Sequence, residues 1–521
     1  MIIDRMKIIN YKKFYGENNI KLNEDINVII GDNEAGKSSI LLALDLVLSG
    51  SQNKIDNIGL ENLFNCRVID EFMNSDRDFT KLPELIIELY MKDTGVPEMY
   101  GNNNEETIMA DGIRLKIKPD EDFTKVIIES LAKENAVFPF EYYKCVFKKF
   151  SDDSYNNYKR PIRHIVIDSS NISSEYHMRE YVTSLYSAYT DNSSKNLYNL
   201  EFRKFKKDFE KTNLITLNDK VPNIKFGFST NNKYSLENNL TIYDNGIDLW
   251  NKGSGTQCML KIKSSLDKKS ENIDLILIEE PENHLSDVNM RKMLQDIMES
   301  NKKQMFITTH NSMICSRLNL KKIIALSENK ISTSEFSLIE DETADFFIKC
   351  PSNTILNFIL SNKVILVEGA AEYILLEKLY KLQTNNDANI DKINVISVNG
   401  LSFKRYLDIA KKLNIKVAVL TDNDRDYNSN VVEKYKDYKN HNNIQIFSDT
   451  DNKRYTFEIA VYNDNINYIN THNITAETDK QKFMLNNKAE SAYRILKELE
   501  SDSDNFTIPK YIMDAIEWIR S

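Results

Sequence analysis

The feature that most constrains this chain is the segment Gly31–Ser38, which reads GDNEAGKS and directly follows the apolar run Ile26–Ile30. Glycines in such a loop allow backbone N–H groups to surround phosphates, while the lysine neutralises charge and the serine ligates Mg²⁺. Residues 38–48 are largely apolar and predict a helix, whose N-terminus also favours an anion. A chance glycine turn is not expected to have this strand–loop–helix context. The motif therefore predicts a nucleotide-binding P-loop.

A second apolar run, Leu275–Ile278, ends in the acidic segment Glu279-Glu280-Pro281-Glu282. Acids at the end of a strand beside a P-loop can bind Mg²⁺ and orient the attacking water. We assign Glu279 to the metal and Glu280 to the water. Without the P-loop upstream, these residues would be read as an ordinary strand terminus.

Two other segments narrow the class of protein. Residues 252–257 read KGSGTQ and predict a second helix start that contacts phosphate. Residues 306–310 read FITTH and predict a strand whose last side chain, an imidazole, hydrogen-bonds the γ-phosphate. Alone, either segment is usually structural. The residues expected to contact the nucleotide or its Mg²⁺ are Gly31, Asn33, Gly36, Lys37, Ser38, Ser39, Ser254, Gly255, Gln257, Glu279 and His310.

The order of these motifs resembles the ABC-type ATPases of the SMC/RecF group. The pair Glu279-Glu280 followed by Pro-Glu-Asn-His-Leu also resembles the OLD (overcoming lysogenization defect) family. In ABC-type ATPases the glycine signature of one protomer closes on the nucleotide of another. The resemblance therefore implies ATP as a cofactor and a homodimer or higher oligomer. The segment GSGTQ departs from the LSGGQ of that group, which leaves the closure geometry open.

Carboxylates end two further apolar runs in the last third of the chain. They are Glu368 and Glu372 after Val364–Val367, and Asp422 and Asp424 after Val417–Leu420. Such residues face the crevice at the C-terminal edge of an open parallel sheet, where ligands bind. Aspartates at i and i+2 of an extended strand end point to the same side. Because gathered like charges are unfavourable without cations, the pattern predicts one or two Mg²⁺ or Mn²⁺ ions.

The pattern hhhhEG followed by hhhxDxD resembles the Toprim domain of topoisomerases, primases and OLD nucleases. Its position behind an ABC-type ATPase extends the resemblance to the OLD family over nearly the whole chain. The resemblance implies an additional acid and a lysine that starts a helix, matched here by Glu458 and Lys488. It implies that Lys488 offsets charge on the phosphate and that Asp424 belongs with Asp422, although the register Asp424 with Asp426 stays open. The metal ligands so implied are Glu368, Glu372, Asp422, Asp424 and Glu458.

Composition excludes several other classes. Apolar residues make up 41% of the 521 residues, which is typical of globular proteins, and no apolar run approaches the about 20 residues that span a membrane. The net charge of −10 makes the chain as a whole a poor non-specific binder of nucleic acid, so a DNA contact would need a local basic surface. Five scattered cysteines and a start without an apolar signal region predict a cytoplasmic protein.

The sequence thus predicts an α/β protein of three parts. An ABC/SMC-type P-loop ATPase domain covers 1–164 and 221–345, a helical insertion that holds a dimer covers 165–220, and a Toprim α/β domain covers 346–521. The helical periodicity of the insertion and a strand expected at Ile224–Phe228 follow from the hydrophobic pattern. A hairpin is expected at the start, with its turn at Gly16–Asn19.

The function implied by the resemblance is a nucleotide-regulated, metal-dependent endonuclease that nicks or cuts DNA. Motif spacing is most similar to the nuclease subunit of the Gabija anti-phage system, which implies a UvrD-like helicase partner. One alternative is an SMC/RecF-like DNA-repair ATPase whose Toprim domain only binds DNA. A topoisomerase or primase is weaker, because no companion domain is visible, and a nucleotide-gated scaffold is the remaining alternative. Whether ATP restrains or drives cleavage is open.

Overall fold

A computed structural model describes residues 1–92, 94–156, 162–170, 174–221, 223–229, 236–267, 273–300, 303–327, 330–332, 334–350, 354–400 and 402–521. The chain forms two compact units. The first comprises Met1–His310 with Lys322–Thr333, and the second comprises Asn311–Lys321 with Ser334–Ser521. The division into three domains stays a prediction. Among the described residues, no helix is both long and apolar enough to cross a membrane.

The chain contains both strands and helices throughout, as the α/β prediction requires. The strands are β1 (Ile2–Tyr11), β2 (Phe14–Lys21), β3 (Ile26–Gly31), β4 (Leu85–Lys92), β5 (Tyr100–Gly101), β6 (Ala110–Pro119), β7 (Tyr143–Lys149), β8 (His164–Asp168), β9 (Tyr243–Asp244), β10 (Ile247–Asp248), β11 (Leu275–Glu279), β12 (Gln304–Thr308), β13 (Ile323–Ser327), β14 (Lys330–Ser332), β15 (Lys363–Val367), β16 (Ile393–Ser397), β17 (Lys416–Leu420) and β18 (Ile444–Phe447). The helices are α1 (Lys37–Ser49), α2 (Gln52–Ile58), α3 (Cys66–Met73), α4 (Thr124–Leu131), α5 (Glu175–Tyr189), α6 (Asn192–Thr212), α7 (Ile215–Asn218), α8 (Ser254–Leu266), α9 (Asp287–Glu299), α10 (Ser312–Arg317), α11 (Ser334–Ser337), α12 (Asp341–Lys349), α13 (Ile355–Leu360), α14 (Ala370–Thr384), α15 (Phe403–Leu413), α16 (Phe457–Asp464), α17 (Ile466–Thr471), α18 (Lys480–Asn486), α19 (Lys488–Ser501) and α20 (Lys510–Arg520).

The first unit contains a parallel sheet in the order β14-β13-β3-β12-β11-β8, of which only the edge strand β14 is antiparallel. An antiparallel sheet in the order β2-β1-β4-β6-β5, with β7 also paired to β6, forms a second layer. Helix α1 contacts strands of both sheets. This placement explains why α1 is apolar around most of its circumference, since a helix enclosed on both sides buries all its faces.

Three local expectations are wrong. Gly16–Asn19 lie within β2, and the hairpin turns instead at Lys12 and Lys13, where Lys12 takes a φ of 45°. Residues 165–168, assigned to the helical insertion, belong to β8, a short strand whose histidine and aspartate hide its pattern. Residues Ile224–Phe228 are exposed and form no strand. The backbone N–H groups of Phe226 and Phe228 donate hydrogen bonds to the side chains of Asn218 and Glu210 and not to a neighbouring strand.

The insertion otherwise has the predicted helical character, with α5, α6 and α7 in sequence. Helix α6 carries an apolar side that is open to solvent. Phe202 stacks on Phe205, and Phe209 packs edge-on against Phe228. Leu197 and Phe205 are each more than half exposed, at 54% and 60%. This surface is the largest concentration of exposed apolar side chains that the structure shows around one described helix.

The second unit is built on a fully parallel sheet in the order β16-β15-β17-β18. Its strands are short, nearly continuous apolar runs, as expected for strands buried on both faces. Helix α14 packs on α19, and α20 packs on β17. Because β15 and β17 are adjacent and parallel, the residues that follow them meet at the same edge of the sheet.

Candidate nucleotide and metal sites

The P-loop joins β3 to α1 and is held by the lysine that starts the helix. Lys37 Nζ donates hydrogen bonds to the carbonyl oxygens of Gly31 and Asp32, both at 3.0 Å. A Cβ at Gly31 would lie 2.7 Å from the carbonyl oxygen of Leu326, so only glycine fits there. Gly36 has a φ of 103°, a left-handed conformation that also favours glycine. Burial lowers the pKa of Lys37, although Glu280 and Asp32 oppose that effect.

A cavity of about 450 Å³ lies over this loop. The predicted residues that line it are Asn33, Gly36, Lys37, Ser38, Ser39, Glu280 and His310. The same cavity is lined by Lys12 and Lys13, which were not predicted because the hairpin turn was expected elsewhere. The sequence signal for this contact is the pair of adjacent lysines in the turn between β1 and β2. The cavity therefore has the cations and N–H groups that a polyphosphate requires.

Glu279, assigned to Mg²⁺, ends β11, and the Ser38 hydroxyl favours its charged form. Burial raises the pKa of Glu279, and the neighbouring carboxylates of Asp168 and Glu280 add to that rise. Asp168 is its direct partner in the parallel pair of β8 and β11. The structure thus adds Asp168, on a strand that the sequence did not reveal, to this acidic edge.

Glu280 and His310 face each other across the ends of β11 and β12. His310 Nε2 lies 2.9 Å from Glu280 Oε1, and Asn283 Nδ2 donates to Glu280 Oε2 at 3.0 Å. Glu280 has a φ of 43°, so the chain turns sharply after the strand, and its carboxylate contacts His310 and Asn283. The predicted pair of acids is therefore divided between two positions, one at Ser38 and one at His310.

The glycine-rich segment forms the start of α8, as predicted. A Cβ at Gly255 would lie 2.4 Å from the carbonyl oxygen of His284, so this helix start packs tightly on the segment after β11. Gln257 Nε2 donates to the carbonyl oxygen of Lys252 at 2.7 Å, which fixes the loop before Ser254. In the described part of this chain, the lining of the P-loop cavity does not include the segment. Its contact with a nucleotide stays a prediction.

The acids of the second unit come from four separate elements. Glu368 follows β15, Glu372 lies in the first turn of α14, Asp422 follows β17, and Glu458 lies in the first turn of α16. The backbone N–H of Phe457 donates to Asp422 Oδ1 at 2.8 Å, which ties the start of α16 to the end of β17. Adjacent parallel strands and this hydrogen bond bring the carboxylates together.

The acids of this edge affect one another's protonation. Burial raises the pKa of Asp422 to about 8, and Glu372, Glu368 and Glu458 contribute to the rise. Burial likewise raises the pKa of Glu372, with Glu458 and Glu368 adding to it. Lys488 is the first residue of α19, and its Nζ lies 3.2 Å from Glu458 Oε2. Burial opposes a charge on Lys488, yet Glu458 and Asp422 raise its pKa.

The two remaining aspartates behave differently from Asp422. Asp424 is exposed and has a φ of 48°, so the chain is not extended there, and the expectation that both aspartates point to one side for that reason is wrong. Asp426 accepts hydrogen bonds from the backbone and hydroxyl of Ser429, which employs it as a cap for the helical turn Asn428–Glu433. The register with Asp422 is therefore better supported than the register of Asp424 with Asp426.

The donor set fits a divalent cation in its chemistry. Beyond its ion pair with Lys488, the Glu458 carboxylate has no hydrogen-bond donor within the described residues, although it is only 2% exposed. A buried carboxylate without donors is costly unless a cation compensates it. In the described ranges, no three acidic, histidine or cysteine side chains converge closely enough to hold one ion. Binding of a cation by three of these acids would therefore require their side chains to move closer together.

Two family models match the chain. The model of the AAA ATPase domain matches residues 1–315, which is more than half of the chain. The model of the overcoming lysogenization defect protein-like Toprim domain matches residues 359–424, which include Glu368, Glu372, Asp422 and Asp424. The predicted order of an ATPase followed by a Toprim domain is thereby confirmed.

Known proteins match both parts. The chain is 28% identical over 180 residues to the Old nuclease of Escherichia phage P2, a match that covers 32% of this chain and only 30% of that protein's length. It is 22% identical over 578 aligned residues to endonuclease GajA of Bacillus cereus (strain HuB5-5), covering 90% of this chain and 82% of the relative. A solved SMC head bound to the C-winged helix domain of ScpA covers 64% of this chain and 98% of its own, at 14% identity and a TM-score of 0.35.

Proposed function

Because this chain belongs to the AAA ATPase domain family and carries an OLD-like Toprim domain, we propose that it is a nucleotide-regulated, divalent-metal-dependent DNA endonuclease. The observation that carries the proposal is the buried Glu458 carboxylate. It lies beside Lys488 and within the electrostatic reach of Asp422 and Glu372, and it otherwise lacks donors in the described structure. Names of relatives that include a nuclease and an endonuclease support the assignment.

In this proposal Glu368, Glu372, Asp422, Asp424 and Glu458 hold Mg²⁺ or Mn²⁺. Bound cations supply a metal-activated water and charge neutralisation for phosphodiester hydrolysis. Lys488, half-exposed at the start of α19, neutralises charge on the reacting phosphate. The ion pair with Glu458 holds the Lys488 ammonium beside these five acids, the acid group, before DNA binds. Asp422 is held in place by the hydrogen bond from the Phe457 N–H.

The first unit supplies the nucleotide site. ATP occupies the P-loop cavity, where Lys37 and the N–H groups of the loop bind its phosphates. Ser38 and Glu279 hold Mg²⁺, and Glu280 orients the attacking water. The acids that hold cations in the second unit belong to a different sheet, and nucleotide occupancy of the first unit regulates cleavage by the second.

We further propose a homodimer or higher oligomer that assembles through the helical insertion. The exposed apolar side of α6, including Leu197 and Phe205, is the kind of surface that a second copy covers. The segment around Gly255 then closes on the nucleotide of the partner subunit. The five cysteines are free thiols, which fits a cytoplasmic protein. A role in Gabija-type anti-phage defence, with a UvrD-like helicase, is supported by the match to GajA.

The test is cleavage of supercoiled plasmid with Mg²⁺ or Mn²⁺. The wild type should convert the plasmid to nicked or linear DNA, and Glu368→Ala and Asp422→Ala should not. Asp426→Ala is the matched control, because its carboxylate caps a helical turn and should leave cleavage nearly unchanged. Equal cutting by all variants would discard the site. DNA binding without cutting by the wild type would instead favour the repair ATPase whose Toprim domain only binds DNA.

A further inference from the structure

The carboxylate of Glu282 joins the ends of β11 and β12, in a position to which the proposed reaction assigns no role. Glu282 lies in the short segment Pro281–His284 that follows β11. Its Oε1 accepts hydrogen bonds from the Thr309 hydroxyl and from the backbone N–H of His310, both at 2.6 Å. Its Oε2 is shielded from solvent and has no hydrogen-bond donor in the part of the chain that the structure describes. One oxygen of the side chain thus binds the end of β12.

A second hydrogen bond joins the same two strand ends. The backbone N–H of Glu280 donates to the carbonyl oxygen of Thr308 at 3.0 Å. The two strand ends are therefore joined twice, by the backbone N–H of Glu280 and by the side chain of Glu282. Two short bonds to successive residues determine both the position and the direction in which the chain leaves β12.

The residue held in this way is the one that contacts Glu280. The His310 imidazole extends from the anchored backbone and places Nε2 2.9 Å from Glu280 Oε1. Glu280 and His310 both line the P-loop cavity, whereas Glu282 is not among its described lining residues. Glu282 thus lies outside the described cavity lining, and its hydrogen bonds connect it to the pair that faces the nucleotide through His310.

We propose that Glu282 is a positioning residue for nucleotide hydrolysis, which fixes the end of β12 so that His310 orients the Glu280 carboxylate toward the attacking water. This role rests on the proposed nucleotide site. Loss of the anchor leaves the P-loop and its lysine in place, because the ammonium of Lys37 is held by loop carbonyls and not by the end of β12. The expected defect is therefore in the rate of hydrolysis and not in nucleotide binding.

The experiment measures kcat and KM for ATP hydrolysis by the full chain. Glu282→Ala should lower kcat by about tenfold or more and leave KM within about threefold, in the range of a misplaced general base. Glu282→Gln keeps an oxygen that accepts both hydrogen bonds and should restore kcat to within about threefold of wild type. His310→Ala supplies the comparison. The double variant with Glu282→Ala should be no slower than His310→Ala alone, since one residue acts through the other.

Two results would overturn the role: Glu282→Ala with the wild-type kcat, or a double variant whose losses multiply. If Glu282→Ala is unstable, Glu282→Asp takes its place in the comparison, because it keeps the charge but has a shorter side chain. Absence of ATP hydrolysis by the wild type would overturn both this role and the nucleotide site on which it rests. Hydrolysis by the wild type with an unaffected Glu282→Ala would overturn this role alone.

Discussion

The ammonium of Lys488 lies 3.2 Å from Oε2 of Glu458, a carboxylate that is only 2% exposed. Lys488 itself is half-exposed, so one partner of the pair faces the solvent side and the other lies within the acid group. The Lys488 ammonium is therefore placed to neutralise the Glu458 carboxylate before DNA binds and, in the proposed reaction, a phosphate during cleavage. Both residues stand in the first turn of separate helices, α19 and α16, which fixes them to rigid elements.

Replacing Lys488 with Met should reduce DNA cleavage by about 100-fold, the loss typical of a removed group that stabilises charge in a transition state. Binding of Mg²⁺ should be retained or strengthened, because a positive charge next to Glu458 disappears. Single-turnover cleavage and Mg²⁺ titration measure the two effects. Lys497→Met, on the same helix and exposed, is the control and should cleave normally. Normal cleavage by Lys488→Met would remove it from the reaction.

Asp422 predicts a pH dependence of stability in the metal-free protein. Its pKa is about 8 in the folded chain against 3.8 for an ordinary aspartate, because of burial and its acidic neighbours. The folded state therefore binds this proton more tightly than the unfolded state, and stability falls as pH rises from about 4 to about 8. Thermal melting in EDTA at pH 6 and pH 8.5 should show this fall. Asp422→Asn should reduce it, and added Mg²⁺ should offset it.

Lys37→Ala should abolish nucleotide binding. Its Nζ is held at the two loop carbonyls of Gly31 and Asp32, whereas Lys12 and Lys13, which also line the cavity, lie in the hairpin turn outside the loop. Binding of a fluorescent ATP analogue measures the loss, which we expect to exceed about 100-fold for a group paired with phosphate. Lys21→Ala, an exposed lysine on β2, is the control. Unchanged ATP binding by Lys37→Ala would discard the P-loop assignment.

A partly buried group of charges connects the P-loop helix with the insertion. Lys54 Nζ lies 2.9 Å from Asp45 on α1 and 2.5 Å from Glu180 on α5, and His164 Nε2 lies 2.8 Å from Asp45. Burial would raise the pKa of Asp45, but Lys54 and His164 lower it well below its usual range. Lys54→Met should therefore destabilise the fold by about 3 kcal/mol, as expected when a buried ion loses its partner.

The pH dependence of the stability of Lys54→Met distinguishes loss of the ion pair with Asp45 from loss of packing. An aspartate whose folded pKa is depressed contributes stability above its unfolded pKa of about 4, and the contribution is lost as pH falls. The difference between wild type and Lys54→Met should thus be large at pH 7 and smaller near pH 3, measured by denaturant unfolding. Lys81→Met, which removes an exposed pair with Asp76, should change little at either pH.

Much of this molecule was predictable because its main signals are local. The strand–loop–helix at Gly31–Ser38 and the apolar runs before Glu279, Glu368 and Asp422 depend on neighbouring residues, and all lie where the sequence placed them. The start of α19 at Lys488 agrees with the helix start that the resemblance implied.

The residues that were missed depend on contacts between distant segments. Asp168 joins the site only because β8 pairs with β11, and its strand is too short and polar to show a pattern. Lys12 and Lys13 reach the cavity because the hairpin turns immediately before the β2 strand, not within it. Glu282 is adjacent to the assigned acids, yet its role becomes visible only through hydrogen bonds to the end of another strand.

Direct measurement of Mn²⁺ binding tests the proposed metal site more directly than cleavage does. The measurement uses electron paramagnetic resonance of the Lys37→Ala variant without nucleotide. We predict saturable Mn²⁺ binding that Asp422→Asn and Glu458→Gln each weaken by about tenfold or more, as removal of a carboxylate ligand should. Asp426→Asn should bind Mn²⁺ as before. Equal Mn²⁺ affinity in the parent and in Asp422→Asn and Glu458→Gln would contradict the claim that these acids hold the cation.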